Sequence, residues 1–193
     1  MGTELFGKTL GMIGCGNIGS LVAERCIGLK MKVLVYDPFL SDEQTETLGA
    51  KKVTFDELLP LSDFITLHTP LTNETKGMLN RTSLMKCKSG VKIINCARGG
   101  LIVEDDLIDL LNNGHISGAA LDVFLEEPPK NKKLFNVENL ILTPHLGAST
   151  SEAQENVAIQ VAQQISDYLN NDVMNLVLLL YVCAIPPSFS VFR

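Results

Sequence analysis

Three groups of residues in this chain have types and spacings suited to chemistry. The first is Gly14-Cys15-Gly16-Asn17-Ile18-Gly19, a G-x-G-x-x-G with Asp37 eighteen positions beyond its last glycine. Between a strand and a helix, Gly14 would permit the tight turn, Gly16 would let a pyrophosphate approach the backbone, and Gly19 would let the helix lie close to the strand. The N–H groups at the helix start would meet the anion, and Asp37 would meet the ribose hydroxyls. The second group is Cys96-Ala97-Arg98-Gly99-Gly100, where an arginine beside two glycines suits recognition of a small carboxylate through its two-pronged guanidinium. The third is a set of polar groups after apolar runs: His68-Thr69-Pro70, Asp122 with Glu126-Glu127-Pro128-Pro129, and Thr143-Pro144-His145.

The elements that must position these groups are read from periodicity. Lys8-Thr9-Leu10-Gly11-Met12-Ile13 is a short apolar run before the glycines, and Ile18, Leu21, Val22, Cys26 and Leu29 recur after them at helical spacing. The glycine turn therefore falls at a strand-to-helix junction. Residues 32–36 form a second strand that ends at Asp37, residues 41–48 a short polar helix stopped by Gly49, and residues 56–59 a helical turn before Pro60. Strands follow at 63–67, 91–95, 118–121 and 140–142, with a short helix at 82–86 between the first two. Each of these strands runs into one of the chemical groups, as expected of an open α/β sheet that binds ligands outside the carboxyl ends of its strands.

Glu104-Asp105-Asp106 opens a helix through Leu107, Ile108, Leu110 and Leu111 that stops at Gly114, and the acids are read as complements of the helix macrodipole. A last helix is expected from Ser149, capped by a Ser149–Glu152 box, with Ala153, Val157, Val161, Ile165 and Leu169 on one face and an end at Asn170-Asn171. Residues 172–193 form an atypical tail. Its ten apolar residues at 176–185 are too few to span a bilayer, where about 20 are needed, and are read as a packed strand or an aggregation-prone segment.

Composition narrows the class. The 193 residues, 46% hydrophobic and 20% charged, suit one domain with a good core and argue against extended disorder. A net charge of −6 without a basic stripe argues against nucleic acid as a partner. The five cysteines (Cys15, Cys26, Cys87, Cys96, Cys183) include no C-x-x-C and are expected to be reduced, mostly core thiols, with neither a disulfide framework nor a zinc site. No basic-then-apolar leader opens the chain, so a cytoplasmic protein without membrane attachment is expected. Asp37 favours NAD over NADP, because its carboxylate would repel a 2′-phosphate and Pro38-Phe39 offers no arginine to bind one. His68 is read as lining the cofactor crevice rather than as a catalytic group.

Taken together, the glycine turn, Asp37, His68-Thr69-Pro70-Leu71-Thr72, Cys96-Ala97-Arg98-Gly99-Gly100, Asp122-Val123-Phe124 with Glu127-Pro128, and Thr143-Pro144-His145 resemble the NAD-binding domain of the D-isomer-specific 2-hydroxyacid dehydrogenases. The likeness covers residues 3–171. Residues 143–156 are most similar to the branch of the family that oxidises 3-phosphoglycerate to 3-phosphohydroxypyruvate in serine biosynthesis.

The resemblance implies a Rossmann-type, doubly wound parallel sheet in a single domain over residues 1–171, with NAD as cofactor and a small 2-hydroxy acid as substrate. By it, Arg98 would bind the substrate's carboxylate and carbonyl oxygen, His145 would be the general acid/base, and Glu127 would orient the imidazole. The cofactor would be held by Gly14, Gly16, Asn17, Ile18, Gly19 and Asp37, by His68, Thr69, Pro70, Cys96, Ala97 and Arg98, and by Asp122, His145 and Gly147, with Asp122 near the nicotinamide. Family members commonly dimerise through this domain, which implies a homodimer. They also carry a substrate domain ahead of the glycine turn, whereas Met1 here lies thirteen residues before Gly14. The resemblance therefore implies one of two things: a dehydrogenase impaired by a missing cap, or an NAD(H)-binding, dimerising module without turnover, as in the family's corepressor members.

Overall fold

The computed structural model describes residues 2–169, and the chain divides after Gly147 into two compact units. The first unit is a seven-stranded, wholly parallel sheet in the order β3-β2-β1-β4-β5-β6-β7. Its strands are β1 (Thr9–Ile13), β2 (Lys32–Tyr36), β3 (Lys51–Lys52), β4 (Phe64–Leu67), β5 (Val91–Asn95), β6 (Ile116–Leu121) and β7 (Leu140–Leu142). The intervening helices are α1 (Asn17–Gly28), α2 (Asp42–Thr47), α3 (Phe55–Leu61), α4 (Arg81–Lys86) and α5 (Glu104–Asn112), with a 3₁₀ turn at Lys132–Asn136. The strand order reverses between β1 and β4, which is the switch point where such sheets open a crevice for ligands.

Alternation along the strands assigns the two faces. Leu10 and Met12 of β1 join Val33 and Val35 of β2 and Ala23 of α1 in one buried cluster. Ile13, with Ile65, Leu67 and Ile93, joins Leu58 and Leu59 of α3 and Leu107 and Leu110 of α5 in the other. Gly11 faces this second side, where an added Cβ would lie 2.1 Å from Ser62 Oγ and 2.6 Å from Leu58 Cδ2, so α3 rests directly on the β1 backbone.

The short helices α2, α3 and α4 are too brief to be stable through their own backbone bonds. Each is closed by a reciprocal cap: Ser41 with Gln44, Thr54 with Glu57, and Asn80 with Ser83.

The structure corrects several expectations. The buried face of α1 runs through Gly19 and Ala23, with Val22, Cys26 and Ile27 partly buried, whereas Ile18, Leu21 and Leu29 are exposed. Small residues let the helix approach the strands, and of the five apolar positions that marked the helix only Val22 and Cys26 pack toward them. Pro60 lies inside α3 rather than after it, and β3 and the 3₁₀ turn are additional elements. Among the described cysteines Cys15 and Cys87 are buried, but Cys26 is half-buried and Cys96 exposed.

In the second unit, α6 spans Ser151–Leu169 and begins one residue later than the Ser149–Glu152 box implies. Thr150 is its cap: the Thr150 hydroxyl accepts the Ala153 N–H at 3.1 Å. No residue of α6 is buried, so the stripe of Ala153, Val157, Val161, Ile165 and Leu169 does not form a core face. The expected end at Asn170-Asn171 and the tail at 172–193 lie outside the described residues. No helix among the described residues is long and apolar enough to cross a membrane.

Asp63, just before β4, fixes the opposite edge of the sheet from the strand ends that carry the chemical groups. Its carboxylate accepts the Thr9 N–H at 2.9 Å and pairs with Lys88. Burial by itself would push this carboxyl up, but the bonds from Lys88 and Thr9, with Lys8 nearby, outweigh it and hold it below the usual aspartate range. A folded-state value below the unfolded one, about 3.9, gives stability that is fully present above the unfolded value and is lost as pH falls through the folded one. Asp63→Asn is therefore expected to lower unfolding free energy by about 1–2 kcal/mol near neutrality. Urea denaturation of both proteins should show that difference unchanged at pH 6–8 and shrinking below about pH 4.

Candidate functional site

The glycine turn stands at the end of β1, against the end of β4. Gly14 adopts φ +86, and a Cβ there would lie 2.5 Å from the His68 carbonyl oxygen. A Cβ on Gly19 would meet the Gly14 carbonyl oxygen at 2.8 Å. Both positions therefore exclude a side chain. Around Gly16, by contrast, nothing lies within 4 Å of an added Cβ, and no side chain caps α1, whose N-cap is Gly16. The first N–H groups of a twelve-residue helix thus face open space beside a backbone without a Cβ, an arrangement that fits a pyrophosphate. Asn17 and Ile18 occupy the first turn of that helix.

Asp37 follows β2 directly. One carboxylate oxygen accepts the Cys15 N–H at 2.8 Å and the other the Phe39 N–H at 2.8 Å. The acid that would meet a ribose is thereby tied to the glycine turn itself. Burial pushes the Cys15 thiol up, and the Asp37 carboxylate adds to the effect, so Cys15 is a poor thiolate. His68 turns its ring back along β4, with Nε2 3.1 Å from Thr66 Oγ1, and burial pushes its imidazole down. The ring nitrogen is thereby committed to Thr66. Thr69 is half-buried beside it and Pro70 is exposed.

The remaining groups sit on loops after β5, β6 and β7, which are neighbours in the sheet. Adjacent strands lie about 4.8 Å apart, so these loops are side by side. After β5, buried Asn95 shapes the turn: its Oδ1 accepts the Ala97 N–H at 3.0 Å and its Nδ2 donates to the Arg98 carbonyl at 2.9 Å. Arg98 is exposed, with Nη1 donating to the Ala97 carbonyl. Gly99 presses on the next loop so closely that a Cβ would fall 1.6 Å from the Phe124 carbonyl oxygen. Cys96, at the same strand end, is exposed, and partial burial followed by the Asp122 charge pushes its thiol up.

After β6, Asp122 is 4% exposed and directs its carboxylate across to the following loop. It accepts the Thr143 hydroxyl, the Leu146 N–H at 2.7 Å and the Gly147 N–H at 2.8 Å. Burial alone would push this carboxyl up, but the three bonds and the neighbouring His145 outweigh it and hold it below the usual range. Between the clamped residues, His145 adopts φ +54. That left-handed conformation costs a non-glycine residue about 1–2 kcal/mol, whereas a hydrogen bond to a charged group contributes about 1.5–3 kcal/mol. Two such backbone bonds outweigh the strain.

His145 Nδ1 lies 2.8 Å from Glu127 Oε2, and Glu127 Oε1 accepts the Phe124 N–H at 3.2 Å. The two side chains are 42% and 28% exposed. With Nδ1 as donor to the carboxylate, Nε2 is the nitrogen left to exchange a proton with a ligand. The structure thus brings Glu127 and His145 into contact, sets Arg98 on the adjacent strand end, and uses Asp122 and Gly147 to hold the histidine's loop. Sequence reading gave no role to Asn95 or to Thr143, although Thr143 stands in the quoted Thr143-Pro144-His145 group. Asn95 could have been noticed as the polar last residue of an apolar strand, whereas the partner of Thr143, Asp122, lies twenty-one residues away. No group of three or more His, Cys, Asp or Glu placed to hold a metal occurs among the described residues.

A family model described as "D-isomer specific 2-hydroxyacid dehydrogenase, NAD binding domain" matches residues 1–147. The chain is 53% identical over 168 residues to a D-3-phosphoglycerate dehydrogenase of Bacillus subtilis, covering 87% of this chain and 32% of that protein. It is 49% identical over 167 residues to a human protein of the same name, covering 86% of this chain and 31% of the relative. Among solved structures, D-lactate dehydrogenase with NAD+ from Lactobacillus jensenii superposes with a TM-score of 0.83 at 30% identity, covering 91% of this chain and 56% of that one. The chain spans about a third of the length of these curated relatives. On the match over residues 1–147, the chain belongs to the D-isomer-specific 2-hydroxyacid dehydrogenase family, in the part that forms its NAD-binding domain.

Proposed function

We propose that this chain oxidises a D-2-hydroxy acid with NAD, and that 3-phosphoglycerate is its substrate. The observation that carries the reading is the His145–Glu127 pair at 2.8 Å, held beside the strand end of Arg98 by the Asp122 clamp. The relatives named D-3-phosphoglycerate dehydrogenase support the choice of substrate.

In this reading Gly14, Gly16, Asn17, Ile18 and Gly19 receive the pyrophosphate on the α1 N-terminus, and Asp37 receives the adenosine ribose. His68, Thr69, Pro70, Cys96, Ala97 and Asp122 line the way to the strand ends. Bound NAD supplies the hydride acceptor. Arg98 takes the substrate carboxylate in its guanidinium and orients the C2 hydroxyl. His145 Nε2 accepts the hydroxyl proton as hydride leaves C2, and the Glu127 carboxylate stabilises the imidazolium that forms. In the reverse direction His145 returns the proton to the ketone oxygen while Arg98 polarises it. The chain would act as a homodimer in the cytoplasm. The exposure of His145 and Arg98 favours a second reading, an NAD(H)-binding module without turnover, because water reaches the groups that should react.

Two measurements test this. NADH formation from 3-phosphoglycerate should fall by about 10²–10⁴ in His145→Ala, a far larger loss than any weakening of NADH binding followed by tyrosine-to-nicotinamide energy transfer. Activity indifferent to that substitution contradicts the acid/base role, and binding without turnover in the parent chain supports the module. Asp37→Ala should weaken NADH binding roughly tenfold, as expected for loss of a charged hydrogen-bond acceptor. Unchanged affinity would remove Asp37 from the cofactor site.

A further inference from the structure

We propose that Glu104, in the first turn of α5, is a positioning residue for Glu127 and through it for His145. The inference rests on the reading of the Glu127–His145 pair given above. Glu104 belongs to an acidic run whose position explains it as a complement to the helix dipole, yet its contacts are specific. Its Oε1 accepts the Leu125 N–H at 2.9 Å, twenty-one residues away, and its Oε2 lies 3.4 Å from Asn131 Nδ2. Asp105 continues the seam to Asn131 Nδ2 at 3.4 Å and to Lys133 Nζ at 3.0 Å. Asp106, the third acid, turns away and accepts the Arg81 N–H at 2.8 Å.

The consequence falls on one loop. Successive N–H groups, of Phe124 and Leu125, are taken by Glu127 and Glu104 respectively. Glu104 therefore anchors the backbone two residues before Glu127, and its second oxygen reaches the segment beyond it. Gly99 packs on the same stretch at the Phe124 carbonyl, just before α5 begins. The loop that carries Glu127 is thus held twice, by close packing against the turn of Arg98 and by the Glu104 carboxylate of α5. Without the carboxylate, the loop keeps its packing but loses the bond that sets where Glu127 Oε2 meets the imidazole.

The histidine ring reports this directly, since only three histidines are present in the sequence. In nitrogen-15 spectra of the chain without ligands, the His145 Nδ1–H proton bonded to Glu127 should be resolved, and His145→Ala assigns it. In Glu104→Ala that signal is expected to broaden or vanish, whereas Glu104→Gln, which keeps an acceptor for Leu125, should retain it. Asp106→Ala, which removes an equal first-turn charge but no loop contact, should leave it unchanged. Turnover, if the parent chain shows it, should drop roughly three- to tenfold in kcat for Glu104→Ala with little change in KM.

A His145 signal in Glu104→Ala identical to the parent's overturns the proposal, as does an equal loss in Asp106→Ala. If Glu104→Ala fails to fold, amide exchange in the parent chain decides: slowed exchange at Leu125 supports the bond to Glu104, and exchange at the unprotected rate overturns it. A parent chain without activity would defeat the catalytic reading alone, because the ring and amide signals are read without substrate.

Discussion

The site depends on one buried carboxylate. Asp122 leaves β6 with both oxygens committed to the loop after β7, through the Thr143 hydroxyl and the Leu146 and Gly147 N–H groups. A buried aspartate without partners would be driven toward its neutral form, but three donors supply what water no longer can. In return the loop is held with His145 in a left-handed conformation it would not choose alone. The histidine's direction is therefore a property of Asp122 as much as of its own residue type.

The same loops are cross-linked by neighbours that take no part in the proposed proton transfer. Asn95 closes the turn that presents Arg98, Gly99 abuts Phe124, and Glu104 takes the Leu125 N–H. Because β5, β6 and β7 are parallel and adjacent, their carboxyl ends open on one side, and these short-range bonds are enough to fix three loops relative to one another. The glycine turn and Asp37 are joined in the same manner through the Cys15 N–H. Arg98 thus stands on a turn closed by its own strand's last residue, and Glu127 and His145 on loops held by partners from other segments.

Much of this was legible in the sequence, for physical reasons. Strands buried on both faces leave unbroken apolar runs, and a glycine that cannot tolerate a Cβ leaves a fixed position, so β1, the turn at Gly14 and the strand ends at Arg98 and His145 could be read directly. The residues by which α1 meets the sheet were not legible, because periodicity weights large residues whereas the closest contact is made by Gly19 and Ala23. Thr150 was passed over for Ser149 as the α6 cap because both neighbours have suitable hydroxyls. The two-residue β3 pairs through backbone atoms that no side-chain pattern records. Glu104 and Asp122 were legible as acids, but their partners lie more than twenty residues away, a distance local reading cannot bridge.

The central claim is that this braced constellation receives a 2-hydroxy acid with its carboxylate on Arg98 and its C2 oxygen at His145. A crystal structure of the chain with NAD and oxalate, an unreactive mimic of the substrate's carboxylate and C2 oxygen, tests it most directly. The account predicts one oxalate carboxylate on the Arg98 guanidinium and an oxygen of the other within hydrogen-bond reach of His145 Nε2, with Asp122 still bonded to Leu146 and Gly147. Oxalate bound away from both residues, or a His145 ring turned off Glu127, would contradict it.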